Sequence, residues 1–135
     1  MTHLLDANSC IHSLRYGTAS SVTLKLAAAP VGSVVLCAVV VAELLYGVHR
    51  SQQQARNLAQ VQTFCRGFLS LPFDDRAAEE YGKLRAYLTQ QGTPIGPNDL
   101  LIAAIALAHG LILVTNNTAE FCRVPGLRLE DWQQP

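Results

Sequence analysis

The sequence predicts an α/β fold in which a mostly parallel sheet of four to five strands carries helices on both faces. Short runs of apolar and β-branched residues alternate with helical patterns along all 135 residues, which is the order of repeated strand–helix–strand units. Apolar residues make up 50% of the chain and charged residues 15%, so one hydrophobic core is readily built. We therefore expect residues 1–135 to form a single domain.

The first half of the chain contains two strand patterns, each followed by helical ones. The expected elements are a strand over 3–5, helices over 9–16 and 20–29, a buried strand over 33–37 and a helix over 39–50. Gly17 ends the first helix, Ser20 or Ser21 caps the second, and Pro30 follows its end. The helix over 39–50 begins with valines, but the Glu-Leu-Leu-Tyr stretch at 43–46 continues its pattern.

The second half repeats this alternation. Ser51 opens a Ser-x-x-Gln sequence, the form of a capping box, which predicts the start of another helix. Gly92 and Gly110 are expected to end two later helices as C-terminal glycines. The expected elements after the capping box are a strand over 69–73, a long helix from Asp74 or Asp75, a turn-rich loop over 93–98, an apolar helix over 99–109 and strands over 111–114 and 127–129.

Charge, cysteine content and hydropathy narrow the class of protein. Ten Lys and Arg balance ten Asp and Glu, which disfavours a tight nucleic-acid binder with a long footprint but suits an enzyme that touches a few phosphates. The four cysteines form no Cys-x-x-Cys pair and are expected to be small buried residues in a reducing cytoplasm. Neither a signal peptide nor a membrane span is expected.

Three carboxylates stand on or beside apolar elements, and each has an ordinary explanation. Asp6 follows the first strand and can cap the next helix. Glu43 interrupts a helix that looks buried on nearly every side, and it can pair with an arginine remote in sequence. Asp99 lies in the first turn of its helix, where the dipole favours an anion, and the neighbouring Asn98 is expected to be the cap.

A second interpretation brings the three acids together at one edge of the sheet. Parallel sheets bind ligands beyond the carboxyl ends of their strands, where Asp6 and the residues from Thr115 to Asn117 are expected. Three acids at that edge would repel, by roughly 4 kcal/mol for each pair at about 4 Å and a dielectric of about 20. No Lys or Arg adjoins any of them in sequence. Oxygen ligands suit Mg²⁺, with Mn²⁺ as the alternative, and such an ion serves phosphodiester hydrolysis.

Spacing alone does not establish this convergence, but four stretches of the sequence together resemble the PIN-domain family and, within it, the VapC toxins. The four stretches follow in the family's order and at its spacing over nearly the whole chain. They are His-Leu-Leu-Asp-Ala-Asn at 3–8, Val-Ala-Glu-Leu-Leu-Tyr-Gly at 41–47, Pro-Ile-Gly-Pro-Asn-Asp-Leu-Leu-Ile-Ala-Ala at 94–104, and Leu-Val-Thr-Asn-Asn-Thr-Ala-Glu-Phe at 113–121 followed by Arg-Val-Pro-Gly-Leu at 123–127.

The resemblance implies a role for each matching acid. Asp6, Glu43 and Asp99 match the three acids that hold Mg²⁺ and activate water. Asp6 and Asp99 are expected to bind the scissile phosphate through one Mg²⁺, while Glu43 positions or deprotonates the attacking water.

The resemblance also implies supporting residues around these acids. Thr115 matches the small hydroxyl residue after the fourth strand, and Asn8 is expected to support the site. Many PIN domains carry an acid where this sequence has Asn117, and an amide cannot act as a base. Glu120, one helical turn later, is expected to compensate, while Ala119 stands where similar sequences often have a basic residue.

The implied activity is endonucleolytic cleavage of single-stranded RNA, leaving a 5′-phosphate, by the toxin of a VapBC-type pair. The expected substrate is tRNA, with ribosomal RNA as the alternative, and initiator tRNA is one candidate among the tRNAs. Expected partners are a small VapB antitoxin and a second copy of the chain, forming a homodimer and a toxin–antitoxin hetero-oligomer. Ile11, Leu14 and Tyr16 are expected to be exposed as part of a partner surface.

Three alternatives stay open at this point. A receiver-like signalling domain would use Asp74 as its phosphoacceptor, although Asp6 stands alone and no lysine lies near the last strand. A PIN fold without catalysis would act by binding only, which Asn117 favours. A PIN-type nuclease acting on DNA flaps would usually carry more acids. His49 and His109 are weaker candidates for general acids because both fall at helix ends.

Overall fold

The computed structural model describes residues 1–134, and its centre is a five-stranded sheet in the order β3-β2-β1-β4-β5. Every neighbouring pair of strands is parallel, which confirms the predicted α/β class. The strands are β1 (His3–Leu5), β2 (Val34–Cys37), β3 (Ser70–Leu71), β4 (Ile112–Val114) and β5 (Leu129–Glu130).

Within residues 1–134, seven helices connect the strands. They are α1 (Ala7–Tyr16), α2 (Ser21–Ala28), α3 (Ala38–His49), α4 (Gln54–Cys65), α5 (Asp75–Gln91), α6 (Pro97–His109) and α7 (Thr118–Phe121). A 3₁₀ turn, Gly17–Ala19, joins α1 to α2. Helices α1, α3 and α4 contact one another, whereas α5 packs on α6. Since crossovers between parallel strands are right-handed, these two groups lie on opposite faces of the sheet.

The core lies between the sheet and these helices. Leu4, Leu36 and Leu113 of the three central strands are fully buried, as expected of strands covered on both faces. In α6, the five consecutive residues 102–106 are buried because that helix contacts both β4 and α5. The apolar sequence of α6 therefore reflects its position in the core.

Several helix ends follow the predicted signals. Ser20 caps α2 and accepts from the N–H groups of Val22 and Thr23. Asp74 caps α5 through the N–H of Ala77. Gly92 ends α5 with φ of 68°, a left-handed conformation that a residue with a Cβ rarely adopts.

Two predicted caps are wrong. Helix α4 begins at Gln54, with no side-chain cap, because the hydroxyl of Ser51 instead donates to the carbonyl of Val48 at the end of α3. Helix α6 begins at Pro97 after Gly96, since proline is well suited to the first helical position. Asn98 therefore lies inside the first turn and does not cap the helix.

The edge strands differ from their predicted bounds. β3 is only two residues long because Pro72, which follows it, has no N–H to donate to a neighbouring strand. β5 starts later than expected because Leu127 donates its N–H to Val124 in a preceding turn. Both corrections concern edges and leave the centre of the sheet as predicted.

Cysteine burial agrees with the prediction only in part. Cys10 and Cys37 are buried and Cys65 is half-buried, but Cys122 is exposed. Cys122 follows the short helix α7, so its prediction as a buried residue is wrong. Among residues 1–134, no helix combines the length and apolar character needed to cross a bilayer.

Candidate active site

The candidate site lies where the order of the strands reverses. Strands β1, β2 and β3 follow one another towards one edge, and the chain then crosses to β4 on the other side of β1. Asp6 directly follows β1 and donates its N–H to the carbonyl of Val114, the last residue of β4. The ends of β1 and β4 thus form the crevice in which open α/β sheets bind ligands.

Asp6 is fixed at this crevice by hydrogen bonds. Its side chain is only 5% exposed and accepts from the backbone N–H of Ser9 at 2.8 Å, so it caps α1. Burial raises the pKa of Asp6, while hydrogen bonds from the hydroxyl of Thr115 and from Ser9 act in the opposite direction. Asp6 is therefore a helix cap and also a buried acid at the sheet edge.

Glu43 projects from α3 towards the same crevice. Burial raises the pKa of Glu43, and the negative charge of Asp6 raises it further, so the two carboxyl groups lie near enough to repel. The expectation of a helix buried on nearly every side is wrong, because Tyr46 of α3 is 68% exposed. Among residues 1–134, no Lys or Arg forms an ion pair with Glu43, so the ordinary explanation by an arginine partner is wrong.

Asp99 and Glu120 form a carboxyl pair beside these acids. Burial raises the pKa of Asp99 to about 7, with further contributions from its contact with Glu120 and from the charges of Glu120, Glu43 and Asp6. Burial opposes ionisation of Glu120, but hydrogen bonds from Gly96, Asp99 and Asn117 together lower its pKa. Asp99 is therefore the member of the pair that holds a proton.

Two short hydrogen bonds fix the carboxylate of Glu120. The N–H of Gly96 donates to Oε1 at 2.6 Å, and the amide Nδ2 of Asn117 donates to Oε2 at 2.6 Å. Asn117 is itself held by its N–H, which donates to the hydroxyl of Thr115 at 3.0 Å. The Asn117 amide, which cannot act as a base, thus orients the carboxylate of Glu120.

Comparison with known proteins decides the family. The family model described as the PIN domain matches residues 4–127. The chain belongs to the PIN-domain family. The tRNA(fMet)-specific endonuclease VapC of Shigella flexneri is 43% identical over 129 residues, which are 96% of each chain. The protein of the same name from Salmonella typhimurium is 39% identical over 132 residues, again 96% of each chain.

A solved structure is also similar to the chain over nearly its whole length. The crystal structure of DNA-bound VapBC from Salmonella typhimurium matches with a TM-score of 0.92 and 36% identity, over 98% of this chain and 98% of that chain.

The receiver-like alternative is wrong, since receivers have the strand order 2-1-3-4-5, whereas this sheet has the order 3-2-1-4-5.

Two residues of this PIN domain escaped the sequence analysis. The sequence pattern assigns Gly96 to a turn-rich loop and gives it no role in the site, yet a glycine just before a helix presents an N–H suited to an anion. Ser9 is buried and contacts Asp6, whereas its neighbour Asn8 is exposed. The signal for Ser9 was its place three residues after the cap, where a helix N–H is free to bind it.

Within residues 1–134, the side chains of the remaining candidates form no hydrogen bond with the four carboxyl groups. His49 is the last residue of α3 and His109 the last residue of α6, at the helix ends that the sequence predicts. The side chain of Asn8 makes no hydrogen bond in that range, and its supporting role stays a prediction. Ala119 is exposed.

The donor set of the site is suited to a hard cation. Asp6, Glu43, Asp99 and Glu120 offer only oxygen, and within residues 1–134 no ion pair neutralises any of them. No three His, Cys, Asp or Glu side chains of that range come close enough together to hold an ion by themselves. Mg²⁺ usually keeps several waters and takes one or two carboxylates from a protein, so these residues fit a hydrated Mg²⁺.

Proposed function

We propose that this chain is a Mg²⁺-dependent endoribonuclease that acts in the cytoplasm as the toxin of a VapBC-type pair and cleaves tRNA. One observation carries the proposal: Asp6, Glu43 and Asp99 come from three separate elements at the switch point of the sheet. Besides burial, the charge of Asp6 raises the pKa of Glu43, and the charges of Glu120, Glu43 and Asp6 raise that of Asp99. Mutual repulsion destabilises the fold, so the arrangement calls for a cationic ligand.

Asp6 and Asp99 are the proposed ligands of the ion, with Glu43 beside them. When bound there, Mg²⁺ supplies positive charge for the phosphate oxygens and lowers the pKa of a water. Mn²⁺ has the same preference for oxygen ligands and is the alternative.

Glu43 is the proposed base. Burial and the charge of Asp6 raise its pKa, which brings it nearer to neutrality and makes its carboxylate a better proton acceptor. Loss of a proton to Glu43 lets the water attack phosphorus, the bond from phosphorus to the 3′ oxygen breaks, and the departing oxygen takes a proton from solvent water. The products carry a 5′-phosphate and a 3′-hydroxyl.

Asn117 and Glu120 are proposed to position the other groups. Glu120 contacts Asp99 and is held by the N–H of Gly96 and by the Asn117 amide. Thr115 hydrogen-bonds both Asp6 and the backbone of Asn117. These bonds connect the two halves of the site without requiring an acid at position 117.

Initiator tRNA is the proposed substrate. The two relatives named tRNA(fMet)-specific endonuclease are 43% and 39% identical to this chain over nearly its whole length. Both support a shared substrate, with ribosomal RNA as the alternative.

The proposed partners are a VapB-type antitoxin and a second copy of the chain. The matched Salmonella structure is a VapBC complex bound to DNA, which supports an antitoxin partner here. Ile11 and Tyr16 of α1 are 39% and 51% exposed, so apolar surface is available for such contacts. A homodimer within a toxin–antitoxin hetero-oligomer is the proposed assembly.

Cleavage of transcribed tRNAs tests this function. The purified protein is incubated in Mg²⁺ with initiator tRNA and, as the matched control, elongator methionine tRNA, each with and without EDTA. We expect discrete fragments with 5′-phosphate ends from the initiator alone, and none in EDTA. Equal cleavage of both tRNAs would contradict the proposed specificity for initiator tRNA. Cleavage in EDTA would contradict the proposed dependence on Mg²⁺.

A PIN domain that acts by binding only is the second candidate, and Asn117 is the observation that favours it. If initiator tRNA stays intact in Mg²⁺ but is bound by the folded protein, binding without cleavage becomes the function. Fragments from single-stranded DNA of the same sequence would instead indicate the DNA-directed alternative.

A further inference from the structure

A groove of about 540 Å³ lies between α1, α3 and α4, next to the candidate active site. Glu43, the proposed base, forms part of its wall together with Arg15, Arg50 and Arg56. The groove therefore begins at the acids and continues along a surface that carries three positive charges. All three arginine side chains are exposed.

The arginines of this groove differ from most of those elsewhere in the fold. The chain has eight arginines, and the guanidinium groups of four of them donate hydrogen bonds to protein oxygens within residues 1–134: Arg76, Arg85, Arg123 and Arg128. Within the same range, the guanidinium groups of Arg15, Arg50 and Arg56 donate no hydrogen bond and form no ion pair, and outside the groove only Arg66 shares this property. Three guanidinium groups whose donors are free thus face one groove on a chain with no net charge.

Gly47 keeps the floor of the groove open between Glu43 and Arg50. Residues 43 and 47 share one face of α3, since they are separated by four positions, and Arg50 follows three positions later at the C-terminal end of the helix. A Cβ at Gly47 would meet no heavy atom within 4 Å, so packing does not require a glycine there. Glycine inside a helix costs about 1 kcal/mol relative to alanine, and space for a ligand explains its presence.

The groove also offers surfaces for nucleobases. Ile11 and Leu14 line it with apolar side chains, and the guanidinium of Arg50 lies 5.4 Å from the ring centre of Tyr46. Unpaired bases stack on aromatic rings and on arginine planes. The groove therefore combines guanidinium groups that can bind phosphates with apolar and aromatic surfaces that can stack on bases. These are the two chemical features of single-stranded RNA.

We propose that single-stranded RNA docks in this groove, with Arg15, Arg50 and Arg56 binding the phosphates that flank the scissile one. The inference rests on the proposed ribonuclease function and adds the path of the strand away from the acids. Arg50 lies two turns along α3 from Glu43, about 10 Å at 1.5 Å per residue. The RNA strand therefore continues past Glu43 on the side of the site formed by α1, α3 and α4.

RNA binding by the uncleaving Asp6→Asn protein tests the proposal. A short fluorescent single-stranded RNA is titrated in Mg²⁺ at several salt concentrations between roughly 50 and 200 mM. The test variant adds Arg15→Gln, Arg50→Gln and Arg56→Gln. Arg66→Gln is the matched control, because the Arg66 side chain is exposed and makes no hydrogen bond in the described range but does not line the groove. Melting curves show that each variant is folded.

We expect the triple variant to bind RNA about 30- to 100-fold more weakly, at about three- to fivefold for each exposed arginine. The slope of log affinity against log salt falls by about 2, because each phosphate contact with single strands contributes about 0.7. Arg66→Gln leaves both quantities unchanged. Gly47→Met, which keeps every charge and fills the floor, also weakens binding.

Two outcomes separate failure of the groove from failure of the function. If the wild type cleaves RNA and the triple variant binds with unchanged affinity and slope, the ribonuclease function stands and the groove does not take RNA. A protein partner such as the antitoxin is then its occupant. If the wild type does not cleave and the Asp6→Asn protein binds no RNA, the function fails and the groove proposal fails with it.

Discussion

The backbone N–H of Gly96 donates a hydrogen bond of 2.6 Å to the carboxylate of Glu120, which ties the start of α6 to α7. A Cβ at Gly96 would lie 3.6 Å from oxygens of both Asp99 and Glu120, so the glycine is next to the carboxyl pair. Glu120 is held as a carboxylate, and Asp99 beside it has a pKa of about 7. Asp99 is therefore partly protonated near neutral pH in the metal-free protein.

Removing the charge of Glu120 is expected to lower the pKa of Asp99. Glu120→Gln keeps an oxygen for the Gly96 N–H but deletes the negative charge, so the pKa of Asp99 falls towards its ordinary value of 3.8. Titration of the Asp99 carboxyl carbon by NMR measures it. Glu79→Gln on the exposed side of α5 is the control, and an Asp99 pKa that stays near 7 would show that Glu120 does not cause the shift.

The metal-free protein is expected to lose stability as pH rises. The folded-state pKa of Asp99 is raised from 3.8 to about 7, so the folded protein binds more protons than the unfolded chain between these values. Stability from this group is therefore present at low pH and is lost as pH rises through about 7.

Melting temperatures measured in EDTA at several pH values up to and beyond about 7 check whether stability falls as pH rises. Asp99→Asn removes the titrating group, so its melting temperature exceeds that of the wild type by a margin that grows with pH, by about 2–4 °C for each kcal/mol. Added Mg²⁺ stabilises the wild type at neutral pH by mass action. A margin that shrinks with rising pH would contradict the assigned shift.

Two substitutions of Asp6 distinguish its role as the cap of α1 from the role of its negative charge in RNA cleavage. Asparagine caps helices about as well as aspartate, so Asp6→Asn keeps the bond from Ser9 and the stability of α1. Asp6→Ala loses that bond and about 1 kcal/mol. We expect both variants to lose RNA cleavage and only Asp6→Ala to melt earlier. Cleavage that survives in Asp6→Asn would show that Asp6 is only a cap.

An acid at position 117 is expected to lower the stability of the metal-free protein and to raise its affinity for Mg²⁺. Asn117→Asp replaces the donor to Glu120 by a second carboxylate, so the hydrogen bond of 2.6 Å becomes a repulsion. In EDTA this variant melts at a lower temperature than the wild type, and in calorimetry it binds Mg²⁺ more tightly. Asn117→Ala, which loses the hydrogen bond without adding charge, is the control. Unchanged Mg²⁺ affinity would place residue 117 outside the metal site.

The sequence predicted the centre of the fold better than its edges. Buried strands and apolar helices leave a periodic pattern, and β1, β2, β4 and the caps at Ser20 and Asp74 follow it. The Ser51 capping box failed because the Ser51 hydroxyl donates to the carbonyl of Val48 at the end of α3, and its oxygen accepts no backbone N–H of α4. Sequence spacing does not show which backbone group a hydroxyl will contact.

For the site, sequence patterns located the acids but not their contacts. Asp6, Glu43 and Asp99 stood out as carboxylates on apolar elements. The bond from Gly96 to Glu120 joins the loop before α6 with α7, and only the folded chain brings these segments together. The bond from Asn117 to Glu120 spans three residues, and it fixes Glu120 locally. Distance along the chain also hid the groove, whose arginines come from α1, the end of α3 and α4.

The rate of RNA cleavage by a Glu43→Gln variant tests the central claim most directly. Glutamine keeps the size of the side chain but cannot accept the proton, so single-turnover cleavage of initiator tRNA in Mg²⁺ is predicted to fall by about 10²- to 10⁴-fold while RNA binding and melting temperature stay as in the wild type. Glu80→Gln on α5 serves as the control. A Glu43→Gln protein that cleaves at the wild-type rate would contradict the assignment of these acids as the catalytic centre.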